Sequence, residues 1–138
     1  MKPFVVFLFA ATALAQTSCP VRFEVGLVRN CENTSIRCRN CATDCINFKL
    51  TNLLEDKITH LEIMAKFDET VLKHGEKGGT YIYVSDDSTS PGKRRDYLWH
   101  LYLVSASLKF TAWIHKLTFE NGSYWKDNGA KLCSVSYK

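Results

Sequence analysis

From residue 21 onward, runs of the chain alternate apolar and polar positions with a period of two, the repeat of a half-buried β-strand. Val21-Arg22-Phe23-Glu24-Val25-Gly26-Leu27 and Cys45-Ile46-Asn47-Phe48-Lys49-Leu50 show it most simply. Residues 58–67 are rich in β-branched and apolar side chains. Leu53, Leu54, His60, Leu61 and Met64 could also line one helical face, but the β-branched start of the run after Asn52 favours a strand. Residues 80–84 form a short, strongly β-prone segment. Residues 97–104 are apolar on both faces, and 108–119 carry Phe110, Ala112 and Ile114 with Trp113 out of phase. Residues 134–137 could end the chain as a last strand. Turn-forming clusters separate these runs, at 75–79, 85–92, 120–122 and 128–129. Several short strands between regular turns predict an all-β domain, an immunoglobulin-like antiparallel β-sandwich.

The first residues depart from this pattern. Lys2 is followed by an apolar run over 4–11, and Ala13-Leu14-Ala15 fits the small-x-small cleavage rule. Residues 1–15 read as a secretory signal peptide, leaving 16–138 as one secreted, extracellular domain. The apolar stretch is shorter than the roughly 20 residues that span a bilayer, so no membrane anchor is expected. The formal charge of the chain is +4, and removal of Lys2 lowers it by one. Such a mild, dispersed excess does not predict nucleic-acid binding.

All six cysteines, Cys19, Cys31, Cys38, Cys41, Cys45 and Cys133, follow the leader. An even number in a secreted domain predicts a disulfide-stabilised fold. Five lie within the segment 19–45, so full pairing requires Cys133 to reach back to that cluster. By loop entropy such a bond stabilises by roughly 4 kcal/mol at best. Cys38-Arg-Asn-Cys41 could be part of a zinc or redox site, but no second Cys-x-x-Cys, no His-x-His and no βαβ pattern accompanies it. No metal or cofactor is expected. Sequons begin at Asn33 and Asn121, the expected glycosylation sites.

Catalytic patterns are not visible. His60, His74, His100 and His115 are scattered, and no nucleophile elbow, zinc-protease or phosphate-loop motif occurs. Lys93-Arg94-Arg95 after Pro91-Gly92 resembles a basic processing signal, although a solvated loop opening a strand is the simpler reading. The chain is read as a non-enzyme. Its aromatic residues are more informative. Trp99 sits in an apolar run and is expected to be buried. Trp125 stands among polar residues, beside Asp127 and Asn128, in Asn121-Gly-Ser-Tyr-Trp-Lys-Asp-Asn-Gly129. A ring beside amide and carboxylate groups can stack on a pyranose while they bind its hydroxyls.

The stretch Gly122-Ser-Tyr-Trp-Lys-Asp-Asn-x-Ala130-Lys131 resembles the signature of family 21 carbohydrate-binding modules, the starch- and glycogen-binding domains. Their motif runs Gly-x-x-Tyr-Trp-Asp-Asn-Asn-x-Gly-x-Asn-Tyr. Phe48–Ile58 is similar to the family's Val-x-Val-x-Asn-Leu-x-Phe-x-Lys-x-Val, Lys66–Thr70 to its Phe-Asp-x-Trp, and Arg95–Leu101 with Leu108–Phe110 to two later segments. The resemblance spans about residues 46–137. It implies a sandwich that binds an α-glucan or related polysaccharide, or an oligosaccharide, without catalysis. It makes Trp125 the stacking residue, Asn128 and Asp127 its polar partners, and Tyr83 a second-site aromatic. Tyr124 and Trp113 complete the expected carbohydrate-binding set. Thr70 stands where the family has a tryptophan, Glu55 where it has an aromatic, and Lys126 where it has the first Asp. The alternative is a secreted interaction or effector protein that has lost the sugar and binds a host or other extracellular protein.

Overall fold

The computed structural model describes residues 18–28, 45–71, 77–99 and 109–137. Cys31, Cys38, Cys41, Asn33, the proposed leader and the end of the expected strand 97–104 lie outside them.

Among the described residues, eight strands form two antiparallel sheets. One holds β1 (Val21–Val28), β2 (Cys45–Asn52) and β5 (Arg94–Trp99), in the order β1-β2-β5. The other holds β3 (Ile58–Val71), β4 (Lys77–Ser85), β6 (Phe110–Phe119), β7 (Tyr124–Lys126) and β8 (Ser134–Tyr137). Its order is β4-β3-β6-β7, and β8 pairs with another stretch of β6. The chain changes sheet between β2 and β3, between β4 and β5, and between β5 and β6. This is the immunoglobulin-like sandwich that the alternation predicts. Two findings differ from the sequence reading: β7 falls between two turn clusters where no strand is expected, and β4 begins at Lys77, inside the cluster 75–79 read as a turn.

Alternation sorts the side chains. Val21, Phe23, Ile46, Phe48, Leu50 and Tyr97 enter the interior from the first sheet. Leu61, Ile63, Ala65, Phe67, Phe110, Ala112, Ile114 and Leu117 meet them from the second. Aromatic contacts cross the gap: Phe48 lies 5.8 Å from Tyr83, and Trp99 lies 6.0 Å from Phe67. Two β-bulges in the β3–β6 pairing correct the phase. On β6 the pairing moves from Ile63↔Ile114 to Glu62↔Lys116, which leaves His115 as the extra residue. Ile114 and Leu117 can then both face inward. Thr59 is the extra residue on β3, between pairs Ile58↔Phe119 and His60↔Thr118.

The ends of the sandwich are fastened by polar and covalent links. Asn52 is fully buried and satisfied: its Nδ2 donates to the carbonyls of Asp56 (2.8 Å) and Thr89 (3.0 Å), and its Oδ1 accepts from the Leu54 amide. Thr89 pairs with Ile58 and its hydroxyl bonds the Tyr97 phenol at 2.8 Å. Together these hold the β2–β3 turn against the β4–β5 loop. A disulfide between Cys19 and Cys133, 114 residues apart in sequence, ties the start of β1 to the start of β8. It realises the expected return of Cys133 to the N-terminal cluster. Cys45 is disulfide-bonded as well.

Candidate functional site

The expected sugar site is the segment from Asn121 to Lys131. Its geometry follows from the short strand β7, in which Tyr124, Trp125 and Lys126 pair with Thr118, Leu117 and Lys116 of β6. Successive side chains in a strand point to opposite faces. Trp125 therefore points the same way as its partner Leu117, into the core, and is only 2 % exposed. This corrects the expectation that its ring is open to a ligand. Of its neighbours, Tyr124 and Lys126 lie on the other face of the strand, and Asp127 and Asn128 belong to the loop that follows it.

The remaining candidates do not converge either. Tyr83 lies on β4, at the opposite edge of the sheet from β7, and packs inward 5.7 Å from Trp99 and 6.3 Å from Tyr97. Burial raises its phenolic pKa above the usual value. Trp113 faces outward between Met64 and Ser134, yet is 9 % exposed, with the Lys131 ammonium 4.5 Å from its ring centroid. Tyr124 alone of the four rings is well exposed, at 62 %, and Lys116 Nζ lies 5.0 Å from its centroid.

Asp127 and Asn128 have internal duties. Asp127 Oδ1 accepts from the Lys131 amide at 2.9 Å and its Oδ2 from Gly129 at 3.2 Å. Asn128 Oδ1 accepts from Ala130 at 3.1 Å. Gly129 and Lys131 both have positive φ, and the coiled loop so formed sets Lys131 over Trp113. The loop that resembles a ligand-contacting motif is thus held closed by the acceptors it was expected to offer. Asn121 sits on the exposed β6–β7 turn, its Oδ1 accepting from the Ser123 amide and hydroxyl.

A feature not anticipated from the sequence lies on the outer side of β3. His60 Nδ1 is 2.6 Å from Asp86 and Nε2 is 2.8 Å from Glu62. The hydrogen bond with Asp86, then that with Glu62, raises the imidazole pKa above its ordinary value. This cluster clamps β3 to the β4–β5 loop. The spacing of His60 and Glu62, two apart on a strand, was the available signal; Asp86 comes from a distant loop. No set of three or more metal-ligating side chains suited to an ion occurs among the described residues. No helix of the described residues is long and apolar enough to cross a membrane.

The basic run is also placed. Arg94 and Arg95 belong to β5 and pair with Thr51 and Leu50 of β2. A protease would have to unpair that strand to reach them, so the structure favours the simpler, non-processed reading.

No known protein family matches the chain. No curated protein matches it. It is similar to the X-ray structure of a Northeast Structural Genomics Consortium target, SoR45, with TM-score 0.55 and 13% identity over 87% of this chain and 85% of that one. At that identity the likeness concerns the fold alone.

Proposed function

We propose that the chain is a secreted, disulfide-stapled β-sandwich that works outside the cell as a non-catalytic interaction or effector domain. The observation that carries this reading over the α-glucan reading is the enclosure of Trp125 beside Leu117. A starch-type site needs that ring against a sugar face, and opening it would expose the core. The leader-like residues 1–15, the long-range disulfide and the exposed Asn121 sequon support secretion. The described ionisable groups most suggestive of chemistry have structural partners: His60 with Asp86 and Glu62, Arg94 with Asp96, Asp127 with its own loop. A host or other extracellular macromolecule is the partner class.

The test expresses the chain from Met1 in secretory cells. The protein is expected in the medium, beginning at Gln16, with an N-linked glycan on Asn121 and no retention on amylose or glycogen. Retention inside the cell contradicts secretion. Retention on α-glucan that Tyr124→Ala abolishes restores the starch-type reading, with the site moved to the exposed ring.

A further inference from the structure

We propose that a basic cleft at the β4–β5 turn, with the adjoining outer face of the β1-β2-β5 sheet, binds a sulfate-bearing polysaccharide. The proposal deepens the reading of the chain as a secreted binding domain by naming its ligand class. The cleft is open, has a volume of about 390 Å³, and is formed by residues 88–90 and 93–96. The Pro91-Gly92 turn creates it: Gly92 takes φ 73°, and the Lys93 amide donates to the Ser90 carbonyl at 3.1 Å. That reversal brings the Lys93-Arg94-Arg95 run beside Ser88 and Ser90: Arg94, paired with Thr51, projects from the outer face, and Arg95, paired with the inward Leu50, projects from the other side of the edge strand.

These cations are exposed. Lys93 has no ion pair among the described residues. Arg95 is steadied by its Nε, which donates to the Ser88 carbonyl at 2.8 Å, so its terminal nitrogens can meet an anion. Arg94 is held by Asp96 at 3.0 Å. A fourth cation extends the site. Arg22 pairs with Thr51, and Thr51 pairs with Arg94, so both arginines stand on one outward row across three strands. Strand spacing puts them about 10 Å apart. A single phosphate cannot span that row, whereas a polymer with repeated charges can. Glu24 and Asp96 flank Lys49 in the next row, giving the track a negative border.

The lining selects the class of polymer. Residues 88–90 and 93–96 include no aromatic ring on which a nucleic-acid base could stack, and no large apolar side chain to anchor a peptide. They offer hydroxyls and cations, the complement of sulfate esters on a hydroxylated backbone.

The test titrates the secreted, disulfide-intact protein with heparin, unsulfated dextran, inorganic sulfate and polyglutamate across about 50 to 300 mM salt. Heparin is expected to bind, with affinity falling steeply as salt rises, while dextran does not bind and inorganic sulfate competes only weakly. Lys93→Gln/Arg94→Gln weakens heparin binding about tenfold and flattens its salt dependence, as expected when fewer counterions are released. Asp96→Asn removes the opposing charge and tightens binding by roughly threefold. Lys66→Gln/Lys126→Gln, the same charge loss on the outer face of the other sheet, leaves heparin affinity within about twofold. Circular dichroism and thermal melts establish that each variant is folded. The proposal is overturned by absent heparin binding at low salt, by equal loss in both double variants, or by polyglutamate binding as tightly through Lys93 and Arg94. None of these results bears on secretion or α-glucan retention, which the medium and amylose assays measure separately.

Discussion

Tyr124 and Trp125 are adjacent in sequence but face opposite ways, at 62 % and 2 % exposure. Truncating each to alanine separates the core-anchor account from the sugar-platform account. Trp125→Ala removes an indole packed within the apolar cluster and leaves a cavity that rigid β-sheet neighbours can only partly fill. Burial of that kind is worth about 3–5 kcal/mol on truncation. Against a total stability of roughly 5–15 kcal/mol, that is a severe loss. For a domain of this size it corresponds to a fall in Tm of about 10–20 °C. Tyr124→Ala forfeits only an exposed ring and its contact with Lys116, worth roughly 0.5–1 kcal/mol. Urea unfolding followed by far-UV circular dichroism gives both values from midpoint and slope. The reasoning is refuted if Trp125→Ala unfolds within about 1 kcal/mol of the parent with an unchanged slope, since an enclosed indole cannot be removed so cheaply.

Three further outcomes follow from the same geometry. Replacing Cys19 and Cys133 together by alanine should lower stability by up to about 4 kcal/mol through the long loop they close, read as a lower urea midpoint; an unchanged midpoint contradicts a stabilising staple. Asn52→Ala strands the Asp56 carbonyl and the Leu54 amide and leaves the Thr89 carbonyl with the Ile58 amide as its remaining donor; calorimetry should show a loss of about 2–3 kcal/mol, and a neutral effect would mean the latch is not formed. The raised pKa of His60 means that the folded state holds its proton more tightly than the unfolded chain. Its contribution is therefore full below the unfolded value near 6.5 and fades as pH rises through the higher folded value. The effect is below about 1 kcal/mol at this surface site, and His60→Gln should remove that part of the pH dependence of Tm.

The period-two pattern made most of the scaffold legible. Val21 to Leu27, Phe48 with Leu50, and Phe110 with Ala112 alternate in the sequence as they do in the sheets. The phase slips from Ile58 to Leu61 and from Ile114 to Leu117 are also visible in the chain, and they are the marks of the two bulges. The even cysteine count anticipated the return of Cys133. The candidate site is less legible, because Trp125 stands among polar sequence neighbours whatever the direction of its ring. In a strand they are uninformative about the residue between them, since they occupy the other face. β7 is three residues long, too short for alternation to announce it. The loop behind it carries Asp127 and Asn128, which serve backbone amides as readily as a ligand. The His60 clamp depends on its contact with the distant Asp86, which no local pattern encodes, whereas the basic cleft lies within one stretch, 88–96, whose Pro91-Gly92 turn and Lys93-Arg94-Arg95 run are visible in the sequence.

The central claim is that the Trp125 ring is interior while its neighbour is not. Hydroxyl-radical footprinting of the folded protein, with peptide mass spectrometry resolving the two residues, tests it directly. The account predicts rapid oxidation at Tyr124 and protection of Trp125 until denaturant unfolds the chain; Trp125 oxidised in the native protein as fast as in the unfolded one would contradict it.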